Sequence, residues 1–325
     1  MQRGGLTIRE TTPADAEAVS ALCAALAVYE GGPTPNFPPD RFRTEGFGAN
    51  PAFGGFIAER DGLPVGYALH HPDYDTDRME RSVFLADLYV EKAARGLGLG
   101  RDLMAAVARA GSRYGARMMF WGVLPRNAPG RAFYKAVGGI EHPETLWCGP
   151  DAKGFAALAA TPAPDAVRFD RATLADAPAL ARLMEALQRD QAREPHPETL
   201  LRLRRDGFGD PAFFTAMLAR LGSKADPVAY ALHWPTYDTE DGQRGILLSD
   251  IYVAPEARGR GIATALLGTL AREIDAAGGG FIGWPVFVDN DAARRYYRRF
   301  AVEDPDTLYC TLEGEAFGRL LAAAS

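Results

Sequence analysis

Leu85-Ala86-Asp87-Leu88-Tyr89-Val90, followed after Glu91–Ala94 by Arg95-Gly96-Leu97-Gly98-Leu99-Gly100, is the stretch that decides the fold. The first block is continuously apolar around Asp87, as in a buried strand. The second is a glycine-rich turn, and Arg101–Tyr114 then carries Leu103, Val107 and Ala110 at helical spacing. Such a turn sets several free backbone N–H groups at a helix N-terminus, where the helix dipole also favours an anion; a pyrophosphate is a natural occupant. Glycine permits close backbone approach and arginine adds positive charge. Glycines alone would serve equally for a tight turn. The junction returns, however, as Leu248-Ser249-Asp250-Ile251-Tyr252-Val253 and Arg258-Gly259-Arg260-Gly261-Ile262-Ala263. Strand, Arg-x-x-Gly-x-Gly/Ala and helix, present twice, point to phosphate binding. No Gly-Lys-Ser/Thr occurs, which excludes a P-loop, and the third glycine of a dinucleotide fingerprint is missing.

Working outward, the whole chain is written twice. Thr11–Ala16 is echoed by Ala172–Ala177, and Glu45-Gly46-Phe47-Gly48 by Asp206-Gly207-Phe208-Gly209. Tyr67-Ala68-Leu69-His70 matches Tyr230-Ala231-Leu232-His233, and Tyr74-Asp75-Thr76 matches Tyr237-Asp238-Thr239. Trp121, Asn127 and Tyr134 find Trp284, Asn290 and Tyr297 in the same register, and Leu146-Trp147-Cys148 and Leu308-Tyr309-Cys310 close the repeat. A near-constant offset over so long a span means duplication of a whole domain rather than a short solenoid unit. The small, proline-rich Thr161–Asp165 reads as a linker, so the expected domains are 1–160 and 161–325.

Within the first copy the pattern predicts a helix from about Asp15 to Val28, then strands over Gly55–Glu59, Val65–Leu69 and Val83–Val90. The helix of the glycine turn follows, then a strand over Arg117–Val123, a helix over Pro129–Val137 and a last strand through Leu146–Cys148. Strands interleaved with helices predict an α+β domain with a mixed sheet. The 325 residues suit two such domains, and 47% hydrophobic with 24% charged residues is ordinary globular composition. No apolar run is long enough for a membrane span and the first residues lack a signal-peptide core, so a cytoplasmic protein is expected. A net charge of −6 argues against nucleic acid and suits a cationic substrate. Cys23, Cys148 and Cys310 lie far apart and the five histidines show no ligand spacing, so no metal is expected.

The Arg-x-x-Gly-x-Gly/Ala turn after a strand resembles the acyl-CoA signature of the GNAT (Gcn5-related) N-acetyltransferases, in both halves. That resemblance implies acetyl-CoA as cofactor. It implies pyrophosphate loops at Arg95, Gly96, Leu97, Gly98, Leu99 and Gly100 and at Arg258, Gly259, Arg260, Gly261, Ile262 and Ala263. It also implies main-chain pairing with pantetheine along Leu88, Tyr89 and Val90 and along Ile251, Tyr252 and Val253. Leu26–Glu30, Glu45–Gly48, the Tyr74-Asp75 pair, Asp87–Val90, and Leu308–Cys310 with Glu313–Ala316 are similar to the diamine/thialysine acetyltransferase branch. Single-domain relatives commonly dimerise. The resemblance therefore implies either a monomer holding an internal pseudo-dimer or a homodimer.

The implied reaction sets its own demands. A primary amine is mostly protonated at neutral pH, and only its free base attacks a thioester, so a proton acceptor is needed. The oxyanion that forms needs N–H donors, and the departing thiolate needs a proton donor. Tyr134 and Tyr297 match the position of the family's general-acid tyrosine; packing under the sheet is the competing reading. Asn127 and Asn290 either bind the cofactor or cap the helices that follow them. Polyamine acetylases carry adjacent acids on the cofactor strand, whereas here Ala86 and Ser249 precede Asp87 and Asp250. These two aspartates are left to polarise a water or orient the amine. Tyr29 and Glu30 resemble the branch's amine-contacting pair but become Asp190 and Gln191 in the second copy. The expectation is an acetyl-CoA-dependent transfer to the amine of a diamine-like or amino-acid-like small molecule, within a ternary complex. The alternatives are a non-catalytic acyl-CoA-binding module, a protein or peptide N-acetyltransferase, and one degenerate copy.

Overall fold

The computed structural model describes residues 2–3, 5–222 and 226–322. In chain order the first half contains β1 (Gln2–Arg3), β2 (Leu6–Glu10), α1 (Ala16–Glu30), α2 (Pro39–Phe47), β3 (Gly54–Arg60), β4 (Leu63–Asp75) and β5 (Glu80–Val90). It continues through α3 (Leu99–Arg113), β6 (Met119–Val123), α4 (Ala128–Val137), β7 (Ile140–His142), β8 (Thr145–Gly149) and α5 (Ala152–Ala159). The second half repeats the order as β9 (Val167–Arg171), α6 (Ala177–Asp190), α7 (Thr199–Gly207), β10 (Thr215–Leu221), β11 (Ala229–Asp238) and β12 (Gln243–Val253). After these come α8 (Ile262–Ala276), β13 (Phe281–Phe287), α9 (Asp291–Tyr297), β14 (Val302–Asp304), β15 (Leu308–Leu312) and α10 (Gly314–Ala322). The expected elements are present. The helices α2 and α7 are additional, as are the short β1, β2, β7 and α5 and the second-half β9, β14 and α10.

The two sheets run β1-β2-β3-β4-β5-β6-β15-β7 and β14-β8-β13-β12-β11-β10-β9. The halves have therefore exchanged their last long strands. From the second half, β15 lies antiparallel to β6, with Cys310 opposite Trp121; from the first, β8 lies antiparallel to β13, with Cys148 opposite Trp284. Each exchanged strand takes its following helix with it. Leu312, Phe317 and Leu320 are buried in the first core beside Leu103 and Val107, while Phe155 and Leu158 are buried in the second beside Leu266 and Leu270. At roughly 1.5–3 kcal/mol for each fully buried large apolar side chain, neither core can spare its borrowed unit. The chain thus crosses between cores at 143–144 and at 305–307, while the repeat in sequence turns over at 160/161.

The strand containing Val65–Leu69 also runs on through His70, His71 and Pro72 to Asp75, so its hairpin with β5 reaches the other half. Tyr74 enters the second core and donates its hydroxyl to Asp206 at 3.0 Å, and Arg81 pairs with Asp206 at 2.8 Å. Reciprocally, Tyr237 packs on Phe53 with centroids 5.1 Å apart, and Arg244 donates to Glu45 at 2.6 Å. The same patch on both sides makes an isologous, pseudo-two-fold contact. His71 and His233 are buried and His70 half-buried in these strands, and desolvation lowers each to about 4, so they are neutral packing groups.

Because each core is completed by the other half, cutting the backbone within the Pro162–Asp165 linker should leave the two pieces bound. With a protease site placed there, the cleaved protein should elute from a sizing column at the volume of the intact chain and separate only in denaturant.

Candidate active site

In β4 and β5 the pairing runs Leu69 with Asp87 and then His70 with Leu85, leaving Ala86 as a bulge. Ser249 is bulged in the same way in β12. A bulge bends its strand, and β5 keeps its parallel partner β6 only at Val83–Phe84. Beyond that point the two strands part, and the edge of β5 from Asp87 to Val90 opens onto a cavity of about 840 Å³. Trp121, Gly122 and Val123 of β6 form the facing wall. This size falls within the usual range for small-molecule sites, about 300–1,000 Å³.

The glycine turn forms the mouth. Gly96 and Gly98 sit at φ +80° and +88°, and Gly259 and Gly261 at +76° and +74°, the left-handed region that only glycine enters freely. A Cβ on Gly96 or Gly98 would meet no atom within 4 Å, so the turn faces open space. The amide N–H groups of residues 96–101 have no acceptor among the described residues, and the same holds for 259–264. Each loop is therefore a preformed cradle of donors at a helix N-terminus, fitted to a pyrophosphate. Arg95 and Arg258 are held alike, each Nε donating to the carbonyl oxygen of Val90 or Val253 at 2.9 Å. Leu97, Leu99, Gly100, Arg260, Ile262 and Ala263 complete the two turns.

Tyr29 lies beside this mouth. The Arg95 guanidinium is 4.5 Å from its ring centroid, and its hydroxyl donates to Asn127 Oδ1 at 3.0 Å. Asn127 caps α4 by accepting from Gly130 N–H, and Asn290 caps α9 by accepting from Ala293 N–H. Tyr89 lines the cavity, whereas Tyr252 is buried.

Tyr134 lines the cavity too, its ring 4.8 Å from that of Trp121, and its hydroxyl has no hydrogen-bond partner among the described residues. Burial pushes its pKa well up, so it carries its proton throughout the physiological range. Tyr297 repeats the packing at 4.9 Å from Trp284, more deeply buried.

Asp87 lies deeper. Tyr67 donates to its Oδ2 at 3.0 Å, and Thr239, from the other half, donates to Oδ1 at 2.9 Å. Burial raises Asp87 to about 6 against those two hydrogen bonds, with Glu240 and Asp238 pushing the same way. Glu30 rises to about 7, through burial first and then the nearby charges of Asp87 and Glu240. Asp250 is reached by Tyr230 and Thr76 at 3.3 Å each and rises to about 7, mainly through burial. Asp238, Glu240, Asp304 and Tyr309 all line the first cavity yet come from the second half. Sequence reasoning did not place them there. Tyr237-Asp238-Thr239 was visible as a repeat, but only the crossing hairpins assign it to the opposite site.

These two loops coincide with two matches to one family model. The acetyltransferase (GNAT) family model fits residues 22–138 and again 181–301. The chain belongs to the GNAT family. It is an N-acetyltransferase, with acetyl-CoA as its cofactor. A thialysine N-epsilon-acetyltransferase of Bos taurus is 30% identical over 140 residues, covering 40% of this chain and 82% of that one. The Sus scrofa protein of the same name is 31% identical over the same lengths. Among solved structures, a GCN5-related N-acetyltransferase from Sphaerobacter thermophilus aligns over 96% of this chain and 97% of its own, with TM-score 0.54 and 18% identity. A tandem GNAT protein from the clavulanic acid biosynthesis pathway aligns over 95% and 98%, with TM-score 0.53 and 17% identity. Both show the paired fold. No helix among the described residues is long and apolar enough to cross a membrane.

Gly98→Val and Gly261→Val each force a β-branched residue into left-handed backbone and crowd one cradle. Calorimetry with acetyl-CoA should show each variant weakening one of two binding events by about tenfold or more, a different one in each case.

Proposed function

We propose that the N-terminal half transfers acetyl to a small cationic amine held between the opened edge of β5 and the acidic wall supplied by the second half. The observation that carries this reading is the composition of the cavity. Glu30, Asp87, Asp238, Glu240 and Asp304 line it, and none of them is in an ion pair among the described residues. Burial first, and the charges of neighbouring acids second, raise Glu30 and Asp87, and a bound cation opposes both effects. Thialysine N-epsilon-acetyltransferases, by their name, acetylate the side-chain amine of a small cationic amino acid, which agrees with this class of acceptor.

Acetyl-CoA supplies the activated acyl group and a thiolate leaving group. The loop Arg95–Gly100 would hold its pyrophosphate through main-chain N–H groups, with the edge of Leu88–Val90 offered to its pantetheine arm. Asp87, fixed by Tyr67 and Thr239, takes the ammonium proton directly or through a water, with Glu30 beside it as a second acceptor. A main-chain N–H at the Ala86 bulge, which lines the cavity, would be the donor for the charge that develops on the acyl oxygen. Tyr134 donates its hydroxyl proton to the departing sulfur, the one role for which a protonated, unpartnered phenol in this place is suited.

The competing reading, a module that binds acyl-CoA without turnover, leaves unexplained why the five acids of the cleft have no ion-pair partner among the described residues. Thiol release from acetyl-CoA, measured across a panel of short amines and diamines, separates the two. Tyr134→Phe should lower kcat by about 100-fold with little change in the KM for acetyl-CoA. In the wild type, kcat/KM for the amine should rise with pH through about 6 to 7, as Asp87 and Glu30 lose their protons. An amine-independent rate, or a Tyr134→Phe enzyme as fast as the wild type, would sink the assignment.

A further inference from the structure

The two acceptor walls are built from corresponding residues, but the acids of the first are unpaired and most of those of the second are paired with arginines. In the first site the position of Glu30 is acidic; its counterpart in the second is Gln191. Asp238 is unpaired, whereas its counterpart Asp75 pairs with Arg78 at 2.9 Å. Glu240 is unpaired, whereas its counterpart Asp77 is in direct contact with Arg193. The position of Arg193 is Gly32 in the first copy, which has no side chain to place there.

Where Arg193 goes follows from its partners. Past the end of α6 the chain turns through Ala192 at φ +55°, and Arg193 N–H donates back to Gln188 at 2.8 Å. One Nη donates to Gln191 Oε1 at 2.7 Å, another contacts Asp77, and the guanidinium lies 5.5 Å from the ring centroid of Phe287. Phe287 corresponds to Leu124 and Asp77 to Glu240, and both Leu124 and Glu240 line the first cavity. By the pseudo-two-fold, the guanidinium stands where the first half keeps open space between those two residues. A cation on an apolar ring, paired with a carboxylate, is also what a bound ammonium would be.

We propose that Arg193 occupies the acceptor position of the C-terminal half, so that amine binds and reacts in the N-terminal half alone. This deepens the functional reading above and rests on it. Arg193 is thereby a specificity-determining residue, a tethered substitute for substrate. It leaves the second acetyl-CoA loop with a cofactor cradle but no vacant place for an amine. Nearby, Arg258, the counterpart of Arg95, donates to Asp190, at the position Tyr29 holds in the first copy, with both side chains about half exposed.

Equilibrium dialysis with radiolabelled 1,4-diaminobutane, in the presence of saturating CoA, tests this on the full chain. The wild type should bind one diamine per chain and Arg193→Gly two. Arg193→Lys, which keeps a tethered cation, should stay at one. Arg193→Gln serves in place of the glycine variant should that one not melt cooperatively, and should likewise bind two. Two diamines on the wild type, or one on both charge-removing variants, would overturn the inference while leaving the first site's function standing. No saturable diamine binding by any of these proteins, together with no amine-dependent thiol release, would overturn the functional reading and this inference with it.

Discussion

The main-chain edge of β6 has to be covered, and the way it is covered governs everything else in the molecule. Met119–Val123 would otherwise present unpaired N–H and C=O groups at a sheet edge beside an open cleft. It is the second half's Leu308–Leu312 that pairs with it, while the first half's Thr145–Gly149 pairs with β13 in exchange. Once the strands have crossed, their helices must follow. The long hairpins can then pack only against the opposite half, and each cleft is walled partly by residues from the other copy. The chain therefore behaves as two cores that cannot be assembled separately.

That constraint also explains how the site gets its chemistry. A lone carboxylate on a bulged strand would be an ordinary surface acid. Asp87 is instead buried under the crossing hairpin, which raises it to about 6 against the lowering hydrogen bonds from Thr239 and Tyr67, where it can both give and accept a proton. Because Asp238 and Glu240 arrive on the same hairpin, one structural event, the crossing, supplies both the partner that holds Asp87, the proposed base, and the acids proposed to attract the substrate. The reciprocal crossing brings Thr76 and Asp77 to Asp250, but there Arg193 and Gln191 remove the negative excess. Equal scaffolds thus lead to unequal sites through a few charges at the end of α6.

Much of this was legible in the residues. The repeat, the two glycine-rich turns at helix N-termini, the aspartate on the bulged strand and the tyrosine seven positions beyond the capping asparagine all sit in local patterns, and local patterns survive in sequence. Positive φ at Gly96 and Gly98 is the physical reason those glycines are there, and the apolar spacing of Leu99, Leu103 and Val107 is why a helix follows. The exchange of β8 and β15 was not legible. A strand carries no mark of which equivalent edge it will pair with when the two edges are near copies. For the same reason Thr239, Asp238 and Glu240 could be matched to Thr76, Asp75 and Asp77 in sequence yet not assigned to the other half's cleft. The helices α2 and α7 are too short to show a full apolar repeat and are placed by tertiary contacts, Phe42 against Phe53 and Leu203 within the second core.

The central claim is that an acceptor site in the N-terminal half is completed by acids from the C-terminal half. Steady-state kinetics of Asp238→Asn and Glu240→Gln test it most directly, since both residues lie far outside the first acetyl-CoA loop in sequence. The account predicts that the KM for the amine rises about tenfold or more in the double variant, with the KM for acetyl-CoA unchanged and the melting temperature near that of the wild type. An amine KM equal to that of the wild type would contradict it.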